Sequence, residues 1–173
     1  SCPVLLGPRS AHSLTQHFFQ AVNGNELARG SSFLRDSLGQ VIFAEHIDVL
    51  EDPFLVGGTA SACFDTDGVA GQRRAVVEHG MVSGYFLGAY SARRLGMVST
   101  GNAQGAHNLT LKSRLTRPED DLPTMLRKLH TGLLVTHLMG DGVRLASGDY
   151  SRAAQGFWVE NGQIQFPVEQ ITI

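Results

Sequence analysis

The last part of the chain places the strongest limit on what this sequence can fold into. Two strand-like runs, GFWVE and QIQFPVEQ, flank the dipeptide Asn161-Gly162. Asn-Gly accepts positive φ at both central positions of a type I′ turn, and the twist of that turn suits paired antiparallel strands. The sequence therefore predicts a β-hairpin at the C-terminal end of this chain.

Two segments have the period of amphipathic helices. The first is SAHSLTQHFFQAVNG, with Ser10 as the predicted N-cap and Gly24 as the predicted left-handed end. Its apolar positions recur at helical spacing: Leu14, Phe18, Ala21 and Val22. The second is RPEDDLPTMLRKLHTG, which ends at Gly132. Pro123 falls in its first turn, where a missing N–H costs little.

The remaining apolar runs indicate strands. Strands are predicted from Val41 to just before Pro53, near 62–64, on both sides of Gly80, and in LTLKSR, LLVTHLMG and GVRLASGDYS. Strand and helix compete in RRAVVEHGMVSGYFLGAYSARRLG, where we favour a strand pair around Gly80 and then a helix from Ala89 to Leu95. The fold class predicted from these elements is α+β, a mostly antiparallel sheet with two to three helices.

Composition excludes several classes of protein. The 173 residues carry a net charge of −2 with interspersed signs, which gives no footprint for nucleic acid. No apolar run is long enough to span a bilayer. The two cysteines form no metal-type pair or disulfide pattern, so we expect a reduced, cytoplasmic setting. The length suits a single domain over 1–173, and we expect segments of a longer protein to be missing at both ends.

Motifs for catalysis are weak. FDTDG resembles the start of a calcium loop but lacks the later acidic ligands, so we interpret Asp65 and Asp67 as turn residues. No GxSxG, Walker or dinucleotide-binding motif is present. A hydrolase that uses Cys63 with an unidentified histidine stays an alternative.

Three stretches together resemble the TldD/TldE family, specifically its TldE (PmbA) branch. They are RGSSFLRDSLGQVIF at 29–43, SARRLGMVSTGNA at 91–103 and SGDYSRAAQGFWVENGQIQFPVEQITI at 147–173. The likeness corresponds to the C-terminal domain of a longer protein, so it implies an N-terminal domain that this chain lacks. The family carries the label "modulator of DNA gyrase" and forms an intracellular metalloprotease.

The resemblance also implies where a metal site would lie. The TldD-type subunit carries a zinc helix of the form HExxxH and a cysteine ahead of a Gly-rich strand. The matching positions here are Thr15, Gln16 and Gln20 in the helix, and Leu138 for the cysteine. Amides are poor proton acceptors and leucine cannot coordinate zinc. We therefore expect no catalytic or metal-binding residue and no cofactor in this chain, with zinc in a TldD-like partner.

The functional hypothesis from the resemblance is a TldE/PmbA-like subunit of a protease that acts on unfolded peptides. The family's roles would be microcin precursor maturation, antitoxin turnover and indirect modulation of gyrase. The alternative is a homodimeric peptide-binding adaptor without protease activity. Asp149 and Arg152 are the predicted substrate- or partner-facing residues, with a structural ion pair as the other interpretation. The run QIQFPVEQITI could bind peptide at a strand edge or form the subunit interface.

Overall fold

The computed structural model describes residues 2–173. Within these residues the elements are β1 (Val4–Leu6), α1 (Pro8–Ala21), α2 (Gly24–Arg29), β2 (Ile47–Asp52), β3 (Arg74–Glu78), β4 (Met81–Val82), α3 (Ala89–Leu95), β5 (Asn108–Ser113), α4 (Leu122–Leu129), β6 (Gly132–Met139), β7 (Val143–Arg144), β8 (Asp149–Tyr150), β9 (Ala153–Glu160) and β10 (Gln163–Thr172). Most strand pairs are antiparallel, so the predicted α+β class is confirmed.

The chain forms two compact units. The first unit combines the chain up to Phe18 with Arg117–Ile173, and the second unit is Phe19–Thr116. The second unit is thus inserted in sequence between the two parts of the first.

The first unit is built on a four-stranded sheet in the order β1-β6-β9-β10. β1 is parallel to β6, and the other pairs are antiparallel. One apolar cluster contains Leu134 and Val159 with Leu126 of α4, while Leu133 and Val135 belong to another. Successive side chains of a strand point to opposite faces. Both faces of the first half of β6 are therefore buried, which explains the apolar run at 133–135, whereas Thr136 and His137 are exposed.

The predicted C-terminal hairpin is confirmed. Glu160 pairs with Gln163 across a turn in which Asn161 has φ 51° and Gly162 has φ 73°. β10 is the edge strand of the sheet, and its pairing with β9 contains two register shifts.

Two predictions for the first unit need correction. GVRLASGDYS is not one strand, because β7 and β8 form a separate two-stranded ribbon in which Val143 pairs with Tyr150. The turn between them contains Gly148 at φ 79°. The sequence reading also missed β1, whose three residues are too few to show a strand period.

The second unit is built on a sheet in the order β4-β3-β2-β5. The strand pair around Gly80 and the helix Ala89–Leu95 are both as predicted. Its fully buried apolar side chains include Val22, Leu27, Val49, Val76, Val77, Val82, Phe86 and Leu87. The buried Tyr85 hydroxyl accepts the Ser37 N–H at 2.9 Å, which ties the loop before β2 to this core.

The ends of the first helix differ from the prediction. α1 begins at Pro8, so Ser10 lies inside it rather than at its N-cap, and Leu14 is exposed. Gly24 is not a left-handed helix end. It starts α2, which Asn23 caps, and a Cβ there would lie 2.3 Å from the Ser91 Oγ. Close packing requires this glycine.

β2 ends at Asp52, before Pro53, as predicted, but the predicted start at Val41 and the short strand near 62–64 are wrong. The strand begins only at Ile47, because the N–H groups of Ile42 and Phe43 both point to the Gly80 carbonyl oxygen and form a loop. Val41 and Phe64 make only isolated bridges, to Met81 and Ala70 respectively.

The helices differ from membrane-spanning helices in length and apolar character. Across residues 2–173, none combines the length and the apolar character that a bilayer crossing needs.

Candidate functional site

Helix α1 carries three of the positions that the resemblance aligns with a zinc motif. The Thr15 hydroxyl donates to the His12 carbonyl oxygen at 2.8 Å, and Nε2 of Gln16 lies 3.3 Å from Nε2 of His12. Gln20 is exposed. These positions offer a hydroxyl and two neutral amides, with no imidazole or carboxylate.

The fourth position, Leu138, lies on β6. Its half-buried side chain packs against the apolar cluster of Leu133, Val135 and Ala154. Over residues 2–173, no three His, Cys, Asp or Glu side chains are grouped so that they could hold a metal ion. The residues at these positions therefore do not fit a zinc ion, which binds through Cys, His and carboxylate ligands.

Arg152 and Asp149, the two predicted polar site residues, are not brought together. Arg152 Nη1 donates to Ser13 Oγ at 2.9 Å, and its Nη2 lies 3.4 Å from the Leu138 carbonyl oxygen. Asp149 is exposed and accepts the Ser147 hydroxyl at 2.7 Å. Throughout the described part of the chain, no ion pair joins Arg152 to Asp149, so the ion-pair interpretation does not hold.

One face of α1 carries polar groups that sequence reasoning missed. Ser10, Ser13 and His17 recur at i, i+3 and i+7, which places them on one side of the helix. Ser10 Oγ, His17 Nε2 and Arg152 Nε are buried and have no hydrogen-bond partner within residues 2–173. Buried polar groups are normally hydrogen-bonded. The polar atoms on this face can therefore still form hydrogen bonds with water or a polar ligand.

A buried polar network occupies the second unit. The side chain of Glu51 is 1% exposed, and its Oε2 accepts Arg74 Nε at 2.8 Å. Its Oε1 accepts the Asn102 amide at 2.6 Å and the backbone N–H of His107 at 2.9 Å. Asn102 Oδ1 in turn accepts the Thr100 hydroxyl at 2.7 Å. This network fixes the loop around 100–107 against β2 and β3.

The loop around Asp65 is organised by a second buried carboxylate. Asp65 Oδ1 accepts the N–H groups of Asp67 and Val69 at 2.9 Å each, and its Oδ2 accepts that of Ala103 at 2.9 Å. Burial opposes ionisation, but these three N–H groups together hold the pKa of Asp65 below its usual value. The turn interpretation of FDTDG agrees with these bonds.

A polar cavity of about 180 Å³ lies in the second unit beside this loop. The lining includes Asn23, Asn25, Asp67, Phe86, Tyr90 and Asn102. Sequence reasoning did not find it. A partial signal existed only for the buried network, because Glu51 stands two residues after Val49 on the buried face of β2, where an acidic side chain requires partners.

Comparison with known proteins decides the family. The profile of the PmbA/TldA metallopeptidase C-terminal domain matches residues 1–173. The chain belongs to this family. A metalloprotease PmbA homolog of Haemophilus influenzae is 46% identical over 171 residues, and metalloprotease PmbA of Escherichia coli O157:H7 is 44% identical over 171 residues. Each match covers 99% of this chain and 37% of the relative, so the chain spans just over a third of the PmbA relatives it matches.

Solved structures agree with this PmbA-type fold. A candidate modulator of DNA gyrase from Bacteroides thetaiotaomicron matches with a TM-score of 0.89 at 27% identity, over 98% of this chain and 37% of that chain. TldE from Thermococcus kodakarensis matches with a TM-score of 0.73 over 96% of this chain and 40% of that chain. Its 22% identity carries information on the fold alone.

Proposed function

We propose that this chain is part of a cytoplasmic, metal-free subunit of a TldD/TldE-type metalloprotease, which acts on unfolded peptides with a TldD-like partner. The observation that carries the proposal is the chemistry of four side chains. Thr15, Gln16, Gln20 and Leu138 are the residues that the resemblance aligns with the zinc helix and cysteine, and their side chains cannot form a zinc ligand set.

These residues also lack a group for proton transfer. In a zinc hydrolase, a carboxylate beside the metal acts as general base toward the bound water. The Gln16 amide resembles a carboxylate in shape but does not accept a proton near neutral pH. Both the metal and the base would therefore come from the partner subunit.

The names of the relatives support proteolysis as the reaction. Proteins named metalloprotease PmbA match nearly the whole of this chain at 44–46% identity. For the complex we propose the peptide substrates of the family, namely a microcin precursor and an antitoxin, with effects on gyrase that are indirect.

We propose Arg152 as a residue that faces substrate or partner. Its guanidinium contacts α1 and β6 through Ser13 and Leu138, while its buried Nε keeps an unused N–H. A peptide carbonyl or carboxylate is a suitable acceptor for this donor. Asp149, which is exposed beside it in sequence, belongs to the same proposal as a surface contact.

A homodimeric peptide-binding adaptor is the second candidate, and the free edge of β10 favours it. An unpaired strand edge offers backbone donors and acceptors to an extended peptide or a second subunit. Pro167 lacks an N–H, Gln170 has φ 56°, and two register shifts interrupt the ladder. The longest regular stretch of this edge is therefore short, which limits the adaptor hypothesis.

The test is cleavage of an unstructured peptide by three samples with added zinc: the full-length protein, a TldD-like protein from the same source, and their mixture. We expect the mixture to cleave the peptide, the full-length protein alone to be inactive, and a chelator to abolish cleavage. Cleavage by the full-length protein alone would reject the metal-free subunit. If the mixture is no more active than the TldD-like protein, the adaptor becomes the better hypothesis.

Three variants sharpen this test. Arg152→Ala should raise the KM of the mixture for peptide, whereas Arg144→Ala, an exposed arginine on β7, should leave KM unchanged. Cys63 is an exposed thiol, and Cys63→Ser should leave cleavage unchanged. Loss of cleavage in Cys63→Ser would revive the cysteine hydrolase hypothesis.

A further inference from the structure

The cavity of the second unit has an unusual chemical character, because its lining is polar and carries one sign of charge. Asp67 is the only residue lining it, among those the structure describes, that bears a formal charge at neutral pH. Asp67 Oδ2 accepts the Ala89 N–H at 2.9 Å. Its Oδ1 has no hydrogen-bond partner within residues 2–173. One carboxylate oxygen is therefore free for a ligand.

Among residues 2–173, no cationic side chain forms an ion pair with this carboxylate. The nearby guanidinium of Arg74 is held by Glu51 at 2.8 Å and donates to the Tyr85 carbonyl oxygen, behind the Phe86 wall of the cavity. Asp65, in the same loop, adds a second negative charge that is bound only by backbone N–H groups. The cavity therefore attracts a cation.

The cavity is held open by rigid elements. Asn102, which lines it, is 3% exposed, and its amide and carbonyl groups are all engaged by Glu51, Arg74 and Thr100. A Cβ on Gly88 would lie 2.7 Å from the Ala103 Cα, so only glycine permits the close approach of these two wall segments. The site therefore needs little rearrangement to receive a ligand.

Size and lining narrow the class of cation. A volume of about 180 Å³ corresponds to roughly six water molecules, enough for one amino-acid-sized group. Tyr90 is 66% exposed and presents an aromatic ring at the cavity, where a cation can lie against its face. The Asn25 amide adds an oxygen acceptor for N–H donors, whereas the Asn23 amide oxygen already accepts the Asn25 N–H at 3.0 Å.

We propose that this cavity binds a primary ammonium group, supplied by a peptide N-terminus or by a lysine side chain, through the free oxygen of Asp67 and the ring of Tyr90. This binding requires no metal and no partner subunit. It would hold one end or one side chain of a peptide on the second unit.

The test is calorimetric titration of the full-length protein, without a partner, with three short peptide amides. One has a free N-terminus and no lysine, one is acetylated and contains a single lysine, and one is acetylated and lacks lysine. We expect binding of the first, the second or both, which identifies the source of the ammonium, and no binding of the third. Equal binding of all three, or binding of none, would overturn the proposal.

Variants tie the binding to the cavity. Asp67→Asn keeps an oxygen that can accept the Ala89 N–H but removes the charge, and it should weaken binding at least about tenfold. Tyr90→Ala should weaken binding, while Tyr90→Phe should preserve it. The matched control is Asp36→Asn, an exposed aspartate of the same unit, which should bind as the wild type does. Unchanged affinity in a folded Asp67→Asn variant would reject the site without affecting the proposed protease role.

Discussion

The Nε atom of Arg74 lies 2.8 Å from Oε2 of Glu51, and the two side chains are 17% and 1% exposed. Asn102 and His107 bind the other carboxylate oxygen. Three residues from separate parts of the second unit thus depend on one buried charge.

Glu51→Gln should destabilise the protein strongly. The substitution keeps the size of the side chain but leaves the Arg74 guanidinium without a counter-charge, and breaking a buried pair costs about 3–5 kcal/mol. Urea unfolding followed by circular dichroism measures the change. Glu45→Gln, at an exposed position, should change the free energy of unfolding by less than about 0.5 kcal/mol. Similar values for the two variants would show that the network contributes little.

Asp65 should make stability depend on pH in the acid range. Its folded-state pKa lies below the usual value of 3.8 despite burial, because three N–H groups favour the carboxylate. The unfolded chain therefore takes up the proton first, and the contribution of Asp65 is complete above its unfolded pKa. That contribution is lost as pH falls below about 4 toward the folded pKa.

The measurement is the urea midpoint of the wild type and of Asp65→Asn between pH 7 and pH 3. The difference between the two should be constant above about pH 5 and should shrink as the pH is lowered. A difference that grows with acidity would contradict the lowered pKa. Asp36→Asn serves as the control for general charge effects.

Gly156→Ala should disrupt the sheet of the first unit. A Cβ at this position in β9 would lie 1.8 Å from the Leu134 carbonyl oxygen of β6, so the strands would have to separate. We expect a loss of more than about 3 kcal/mol, or failure to fold. Gly57→Ala is the control, because Gly57 has φ 73° with open space and should cost only about 1–2 kcal/mol. The measurement is the midpoint of thermal unfolding. Equal midpoints for the two variants would show that β6 and β9 can move apart at little cost in stability.

Arg152 and Ser13 should be energetically coupled. Their 2.9 Å hydrogen bond joins α1 to the segment before β9, and charged donors strengthen such bonds. A double-mutant cycle with Arg152→Ala and Ser13→Ala should give a coupling energy of about 1 kcal/mol. The pair Arg144→Ala and Ser13→Ala should be additive. Additivity in both cycles would show that the hydrogen bond between Arg152 and Ser13 contributes no measurable coupling energy.

Sequence reasoning succeeded where one local signal decides the structure. Asn161-Gly162 determines its hairpin through backbone φ alone, and the helix from Ala89 to Leu95 ends at Gly96 with φ 67°. Sequence reasoning failed where residues that are distant in sequence determine the local structure. Gly24 looks like a helix end in the sequence, yet its role is set by Ser91 and Phe86, which lie far along the chain.

The candidate sites show the same division. The positions that the resemblance aligns with the zinc motif stay a prediction, although Thr15, Gln16 and Gln20 all lie in the one helix that the sequence predicts. The cavity around Asp67 could not be predicted, since its lining comes from four separate stretches that only the fold brings together. The sequence also could not show the hydrogen-bond partner of Arg152, which is Ser13, distant in sequence, instead of Asp149.

The second unit lies in sequence between two parts of the first, so the second unit is fully synthesised before the first. β1 emerges from the ribosome early, but its partner β6 is made only after the whole of Phe19–Thr116. The second unit has all its strands available earlier and can fold while translation continues. Until β6 and β9 arrive, β1 and the start of α1 remain without their sheet, so a pause in translation after Thr116 would prolong exposure of Leu5 and Leu6 to chaperones and proteases.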